Sequence, residues 1–234
     1  MKNIRHILVK ELKSYFIAPI AYIVIAIFLL ITGWFFFSTF FLYNQASLRN
    51  FFGLLPLIFS FIIPAVTMRL FSEEINIGSY EILMTLPLTF TEVIVGKFLA
   101  AVAFVMIMLL PTLSYTITIA MLGKLDLGPI IGGYIGAILL GALFSAIGLL
   151  ASALTRNQII AFIIGMSVCF ALTLIDKMLF FLPESLLGVM ENIGADFHFQ
   201  NIAKGIIDSR DILYFVSASF VALYAGNLVM QGKK

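Results

Sequence analysis

Pro129–Ala153 reads PIIGGYIGAILLGALFSAIGLLASA, with no Asp, Glu, Lys, Arg or His anywhere in it. A hydrocarbon core about 30 Å thick is crossed by about 20 apolar residues of α-helix, so this run reads as a membrane span. Five other runs meet or approach that length: Ala18–Tyr43, Phe51–Leu70, Phe98–Leu122, Ile159–Ile175 and Ile212–Met230. Apart from Arg69 at the end of the second, they hold no charged side chain and no His. As soluble helices they would have no polar face to turn to water. The expected fold class is all-α: a polytopic membrane protein with six transmembrane helices, residues 1–234 forming one transmembrane domain. Thr155 and Gln158 have the spacing of a capping box and open the fifth span.

Composition agrees. Apolar residues make up 62% of the chain and charged ones 11%, where a soluble domain carries about a quarter charged. This excludes a soluble globular protein, a disordered chain and a nucleic-acid module. The 24 Phe against one Trp suit a lipid-facing surface, and the net charge of +2 is too small to demand an acidic partner. The one cysteine, Cys169, excludes a disulfide framework and reads as a packed thiol. The first run is too long for the apolar region of a cleavable signal, and no A-x-A site follows it.

Charge position sets the orientation. With the N-terminus inside, nine Lys and Arg fall on inner segments (Lys2, Arg5, Lys10, Lys13, Arg69, Lys97, Arg156, Lys233, Lys234) and five outside (Arg49, Lys124, Lys177, Lys204, Arg210). Positive charge concentrates on the cytoplasmic side, so both termini are expected in the cytoplasm. Before the first span, residues 2–16 repeat Ile4, Ile7, Leu8, Leu12, Tyr15 and Phe16 at helical spacing. Lys2, Arg5, His6, Lys10 and Lys13 lie largely opposite. That pattern predicts a basic amphipathic helix in the inner interface, ended by a turn at Pro19.

Between the second and third spans lies Phe71–Gly96, far longer than the about 4–6 residues of an ordinary connection. Glu73, Glu74 and Glu81 cluster where a helix start would favour anions. Gly78 breaks the stretch, Ser79 can cap a second short helix with Ile82, Leu83 and Leu86 on its apolar face, and Pro87 ends it. Thr89 and Glu92 then form a T-x-x-E capping box that starts the helix entering span three. A segment so arranged reads as a docking surface. Span four carries Gly132, Gly133, Gly136, Gly141, Ser145, Gly148 and Ser152, small residues that let helices approach closely. Packing within the chain is the first expectation for them, and a dimer interface or conduit lining the second. Pro64 and Pro111 permit kinks in spans two and three. The outer segment, Asp176–Asp211, reads as two short helices dipping into the outer interface. His198, without partners at ligand spacing, reads as a hydrogen-bonding loop residue rather than a metal ligand.

Missing motifs narrow the class. No H-E-x-x-H is present, the spans hold no His for a Ser–His protease, and none carries the ionisable residues usual in ion-coupled carriers. No G-x-x-x-x-G-K-[ST] loop occurs, so energy for any transport must come from another chain. No metal or cofactor site is expected.

The runs Lys10–Pro19 (KELKSYFIAP), Met68–Glu74 (MRLFSEE) and Gly78–Leu83 (GSYEIL), followed by Pro87 and Gly96-Lys97, resemble the permease subunits of type-2 ABC exporters. Phe197–Phe215 (FHFQNIAKGIIDSRDILYF) is similar to the GldF-type permeases of gliding motility. Ser79 and Tyr80 stand where Thr and Leu are frequent in that family. The resemblance implies a permease working as a dimer, with an identical or GldG-like second subunit, in a bacterial plasma membrane. It implies two cytoplasmic ABC ATPase subunits, which would carry ATP and magnesium. Residues 1–17 would be the elbow helix, with Arg5, Lys10, Glu11 and Lys13. Residues 71–96 would be the coupling segment, with Glu73, Glu74, Gly78, Tyr80, Glu81 and Leu83. Residues 176–211 would form re-entrant helices at an outer gate. The expected function is therefore that of an exporter permease without its own ATPase site. The alternative is a non-transporting membrane scaffold that docks a cytoplasmic ATPase.

Overall fold

The computed structural model describes residues 2–43, 47–79, 88–122, 126–178, 192–206 and 208–232, and every element among them is helical. In order they are α1 (Lys2–Ile17), α2 (Ile20–Tyr43), α3 (Arg49–Thr67), α4 (Arg69–Ile77), α5 (Phe90–Leu109), a 3₁₀ turn (Leu110–Thr112), α6 (Leu113–Leu122), α7 (Leu127–Leu154), α8 (Gln158–Met178), α9 (Ala195–Ala203) and α10 (Ser209–Gln231). Six stretches are long and apolar enough to cross a membrane: α2, α3 with α4, α5 with α6, α7, α8 and α10. The all-helical, six-span expectation is met.

Local chemistry explains the boundaries. Thr89 accepts from the Glu92 amide at 3.3 Å while the Glu92 carboxylate accepts from the Thr89 amide at 3.1 Å, so the expected capping box starts α5. Asp126 caps α7 by accepting from the Gly128 amide at 3.3 Å. The start of α8 departs from expectation. Asn157, rather than Thr155, accepts from the Ile159 amide at 2.8 Å, and the Thr155 hydroxyl instead receives the Asn157 amide at 3.1 Å. Asn157 sits two residues nearer the helix, immediately before Gln158, and its side-chain carbonyl reaches the second free amide. Pro111 converts its neighbourhood into the 3₁₀ turn, splitting span three into α5 and α6. Pro64 lies four residues before the break at Met68, which separates α3 from α4.

α7 is the axis of the bundle, with 72% of its apolar stretch buried against 22% in α2, α8 and α10. Its small residues are spent on neighbours in the same chain, which answers the question left by the glycine spacing. A Cβ at Gly132 would stand 2.2 Å from the Ile202 carbonyl oxygen of α9, and one at Gly148 would stand 2.0 Å from the Thr67 hydroxyl of α3. Gly133, Gly136 and Gly141 leave room for Phe52, Phe199 and Val105. The outward faces of α2, α8 and α10 show Leu30, Trp34, Ile159, Ile163, Phe220 and Val221, a surface suited to lipid or another apolar helix. Cys169 is fully buried.

Candidate functional site

Among the described residues, one cluster of charged side chains gathers where α1, α4 and α5 meet. Lys97, on the second turn of α5, is 1% exposed, too buried to remain charged without partners. Its Nζ donates to Glu74 Oε1 at 2.8 Å, to Glu11 Oε1 at 3.0 Å and to the Leu70 carbonyl at 2.7 Å. These three bonds use the full donor set of an ammonium group. The Phe71 ring lies 5.1 Å from Nζ. Lys10, well exposed on α1, stands 3.8 Å from both carboxylates and supplies the second cation. One buried lysine thus ties the amphipathic helix, the extension of span two and the start of span three into a single corner.

α1 is strapped along α5 on both sides of that corner. Asn3 donates to Glu92 at 3.2 Å. Gly96 lets Ile7 close in, because a Cβ there would fall 2.8 Å from Ile7. Tyr15 packs on Phe104 at 5.3 Å, and the Arg69 guanidinium lies 5.2 Å from the Tyr15 ring centre. Burial pushes the Tyr15 phenol up; the Glu11 carboxylate adds to that shift and Arg69 opposes it.

Near the start of α4, Ser152 of α7 accepts from the amides of Phe71 and Ser72 at 2.9 and 3.0 Å. It donates to the Met68 carbonyl at 2.7 Å. These are backbone groups on either side of the helix break, so one hydroxyl joins the break to the central helix. Ser72 also bonds the Met68 carbonyl.

The residues singled out by sequence fall into three groups. Glu11, Glu74 and Lys10 come together at the corner. Arg5 and Lys13 are exposed on α1, and Glu73 is half-buried on α4. Gly78 ends α4 in the left-handed region at φ 78°, the conformation glycine adopts without strain. Tyr80, Glu81 and Leu83, with the short helix expected there, lie outside the described residues. Two readings change. Glu73 and Glu74 sit in the second half of α4 rather than at a helix start, because the second span runs past Leu70 as helix to Ile77. The Ser79 hydroxyl donates back to the Glu74 carbonyl at 3.4 Å, at the close of α4.

Sequence reasoning passed over Lys97 as a site residue and counted it as one more inner cation. The available signal was its place five residues after the Glu92 box, where a charge enters an apolar helix. Ser152 was read only as a small residue. His198 is hydrogen-bonded as expected, but it sits on helix α9 rather than in a loop and has an acidic partner that the spacing does not show: its Nδ1 lies 2.6 Å from Asp211 Oδ1, both nearly buried, and its ring stacks on Tyr214 at 4.1 Å. Together with Lys177–Asp196 at 2.9 Å and the Phe197 amide donating to Asp176 at 2.7 Å, this pair holds α9 against α8 and α10. α9 is one short helix of the expected outer pair; residues 179–191 lie outside the described residues. No cluster of three or more His, Cys, Asp or Glu able to hold a metal occurs among the described residues.

A family model described as ABC-2 family transporter protein matches residues 7–217. The chain belongs to that family. It is a multi-pass membrane permease of the ABC transporter class, and the match runs from the middle of α1 into α10, through the Lys97 corner, the α7 axis and the α9 cluster. No curated protein matches the chain. An ABC-2 permease is the membrane part of its transporter, which accords with the absence of a nucleotide-binding loop from the sequence.

Proposed function

We propose that this ABC-2 permease serves an exporter whose energy comes from separate cytoplasmic ABC ATPase subunits, with residues 71–96 as the lever between them. What supports this reading is the attachment of α4. Its start is joined to the central helix through Ser152, and its side is joined to α1 and α5 through Lys97. A displacement applied near Gly78 therefore reaches four helices together. Packed interfaces of this kind favour two discrete arrangements over continuous bending. ATP and magnesium belong to the partner subunits, where ATP-driven closure would favour one arrangement of the lever over the other. The second permease subunit is a further copy or a GldG-like chain, the relationship to gliding-motility permeases is of the GldF type, and both termini face the cytoplasm of a bacterial plasma membrane.

In this reading the corner divides the acidic residues between two tasks. Glu74 is engaged inside the chain, leaving Glu73 and Glu81 to meet basic residues of the ATPase, where charge pairs set orientation more than affinity. The test is ATP turnover by the purified complex. Gly78→Pro forbids the left-handed turn at the end of α4, and Glu81→Lys reverses the proposed docking charge. Both variants are expected to reach the membrane and to abolish the response of ATPase activity to lipid or cargo. A response equal to wild type would overturn the lever. A complex whose wild-type ATPase ignored lipid and cargo altogether would be a scaffold.

A further inference from the structure

A groove of about 760 Å³ runs between α1 and α4, lined by His6, Val9, Lys10, Lys13 and Ile17 on one side and by Arg69 and Glu73 on the other. Its level is set by the chain. Ile17 lies three residues before the span that begins at Ile20, and Arg69 directly follows the apolar run of α3. Lys13 and Arg69 thus border apolar stretches, the level at which the hydrocarbon of a bilayer would give way to headgroups. The groove is cationic: Lys10, Lys13 and Arg69 face it, against the single carboxylate of Glu73. Lys13 has no ion pair among the described residues, and Arg69 is held over Tyr15 by ring contact rather than by an acid. The carboxylates nearest Lys10 are already bonded to Lys97.

We infer that this groove binds the headgroup of one anionic phospholipid. The phosphate would sit among Lys13, Lys10 and Arg69, whose planar guanidinium suits two phosphate oxygens at once. The acyl chains would follow Ile17, which is 83% exposed, onto the outward side chains of Ile20 and Ile23 at the start of α2. This apolar edge selects the occupant. An acidic soluble protein would satisfy the cations and leave Ile17 bare, whereas a phospholipid covers both. The inference rests on the six helices spanning a bilayer and is independent of ATPase coupling.

The full-length protein in neutral detergent, titrated with phosphatidylglycerol and observed by native mass spectrometry, tests it without nucleotide or partner. Wild type is expected to hold one phosphatidylglycerol per chain in preference to phosphatidylcholine. Removing one cation with Lys13→Gln, an exposed position that leaves packing untouched, should weaken that binding about fivefold. Arg69→Gln should weaken it at least as much, and Arg156→Gln, at a cation that does not line the groove, should leave it unchanged. Equal retention of the two lipids, or unchanged binding in Lys13→Gln, would overturn the inference. So would binding of glycerol phosphate as tight as that of the lipid, which would mark a site for a soluble anion. Displacement of the bound lipid by a co-purifying ATPase would assign the groove to protein docking instead.

Discussion

Lys97 and its acids are stable only as a set. With one buried ammonium 2.8 and 3.0 Å from two carboxylates, removal of the cation leaves Glu74 and Glu11 facing each other in a nearly dry corner. Breaking a buried charge set by removing one partner costs about 3–5 kcal/mol. Lys97→Ala should therefore lower the thermal midpoint of the detergent-solubilised protein sharply. Glu74→Gln in the same chain should restore part of the loss, because the second change removes a charge left with only the exposed Lys10 at 3.8 Å. The double-mutant cycle reads this directly: costs that simply add would mean the groups do not act together. Ser152 belongs to the same scale, as one hydroxyl serving three backbone groups around the Met68 break.

Among the elements, α7 shows how far the glycine pattern could be read. The spacing announced close helix contacts, but which helices would fill the notches depended on neighbours distant in the chain. The structure makes the notches unequal, and that gives a prediction. At Gly132 an added Cβ meets a backbone oxygen at 2.2 Å, which cannot swing aside. Overpacking of this kind costs about 1–3 kcal/mol, so Gly132→Ala should lose stability and loosen α9 from α7. Gly53 of α3 has nothing within 4 Å of the same position. Gly53→Ala should be neutral or gain about 0.4–1 kcal/mol through lost freedom of the unfolded chain. Heating both variants in detergent and following the folded fraction by size exclusion checks the contrast, and equal behaviour would mean that the notch at Gly132 is not tight.

For the whole molecule, orientation is the testable property. The orientation proposed from the Lys and Arg distribution predicts Ser47 and Gln231 on opposite sides, the latter inside. Cys169 is buried and can be replaced by Ala to give a chain free of thiols. In that background Ser47→Cys should react with a membrane-impermeant maleimide in intact cells. Gln231→Cys should react only after the cells are opened. The reverse pattern would put the lever segment outside, away from any cytoplasmic ATPase. At this scale the exposed apolar faces of α2, α8 and α10 also explain why the chain needs a membrane.

Six spans, the α5 capping box, the amphipathic α1 and the break at Gly78 were all legible in order along the chain, because each is a local matter. Bilayer thickness counts consecutive apolar residues, a cap involves neighbours three apart, and a helix face repeats every three or four. The corner was not legible, because its residues are 86 and 23 positions from Lys97. A charge entering an apolar helix marks Lys97 as unusual, but nothing local names the two acids that enclose it. The His198–Asp211 contact was hidden for the same reason: the two residues lie 13 apart, on helices whose meeting depends on how α9 folds back against α10. Long-range pairing of charges in a low-dielectric interior is a property of the packed bundle, so tertiary structure alone chose which charges became partners and which were left to line the α1–α4 groove.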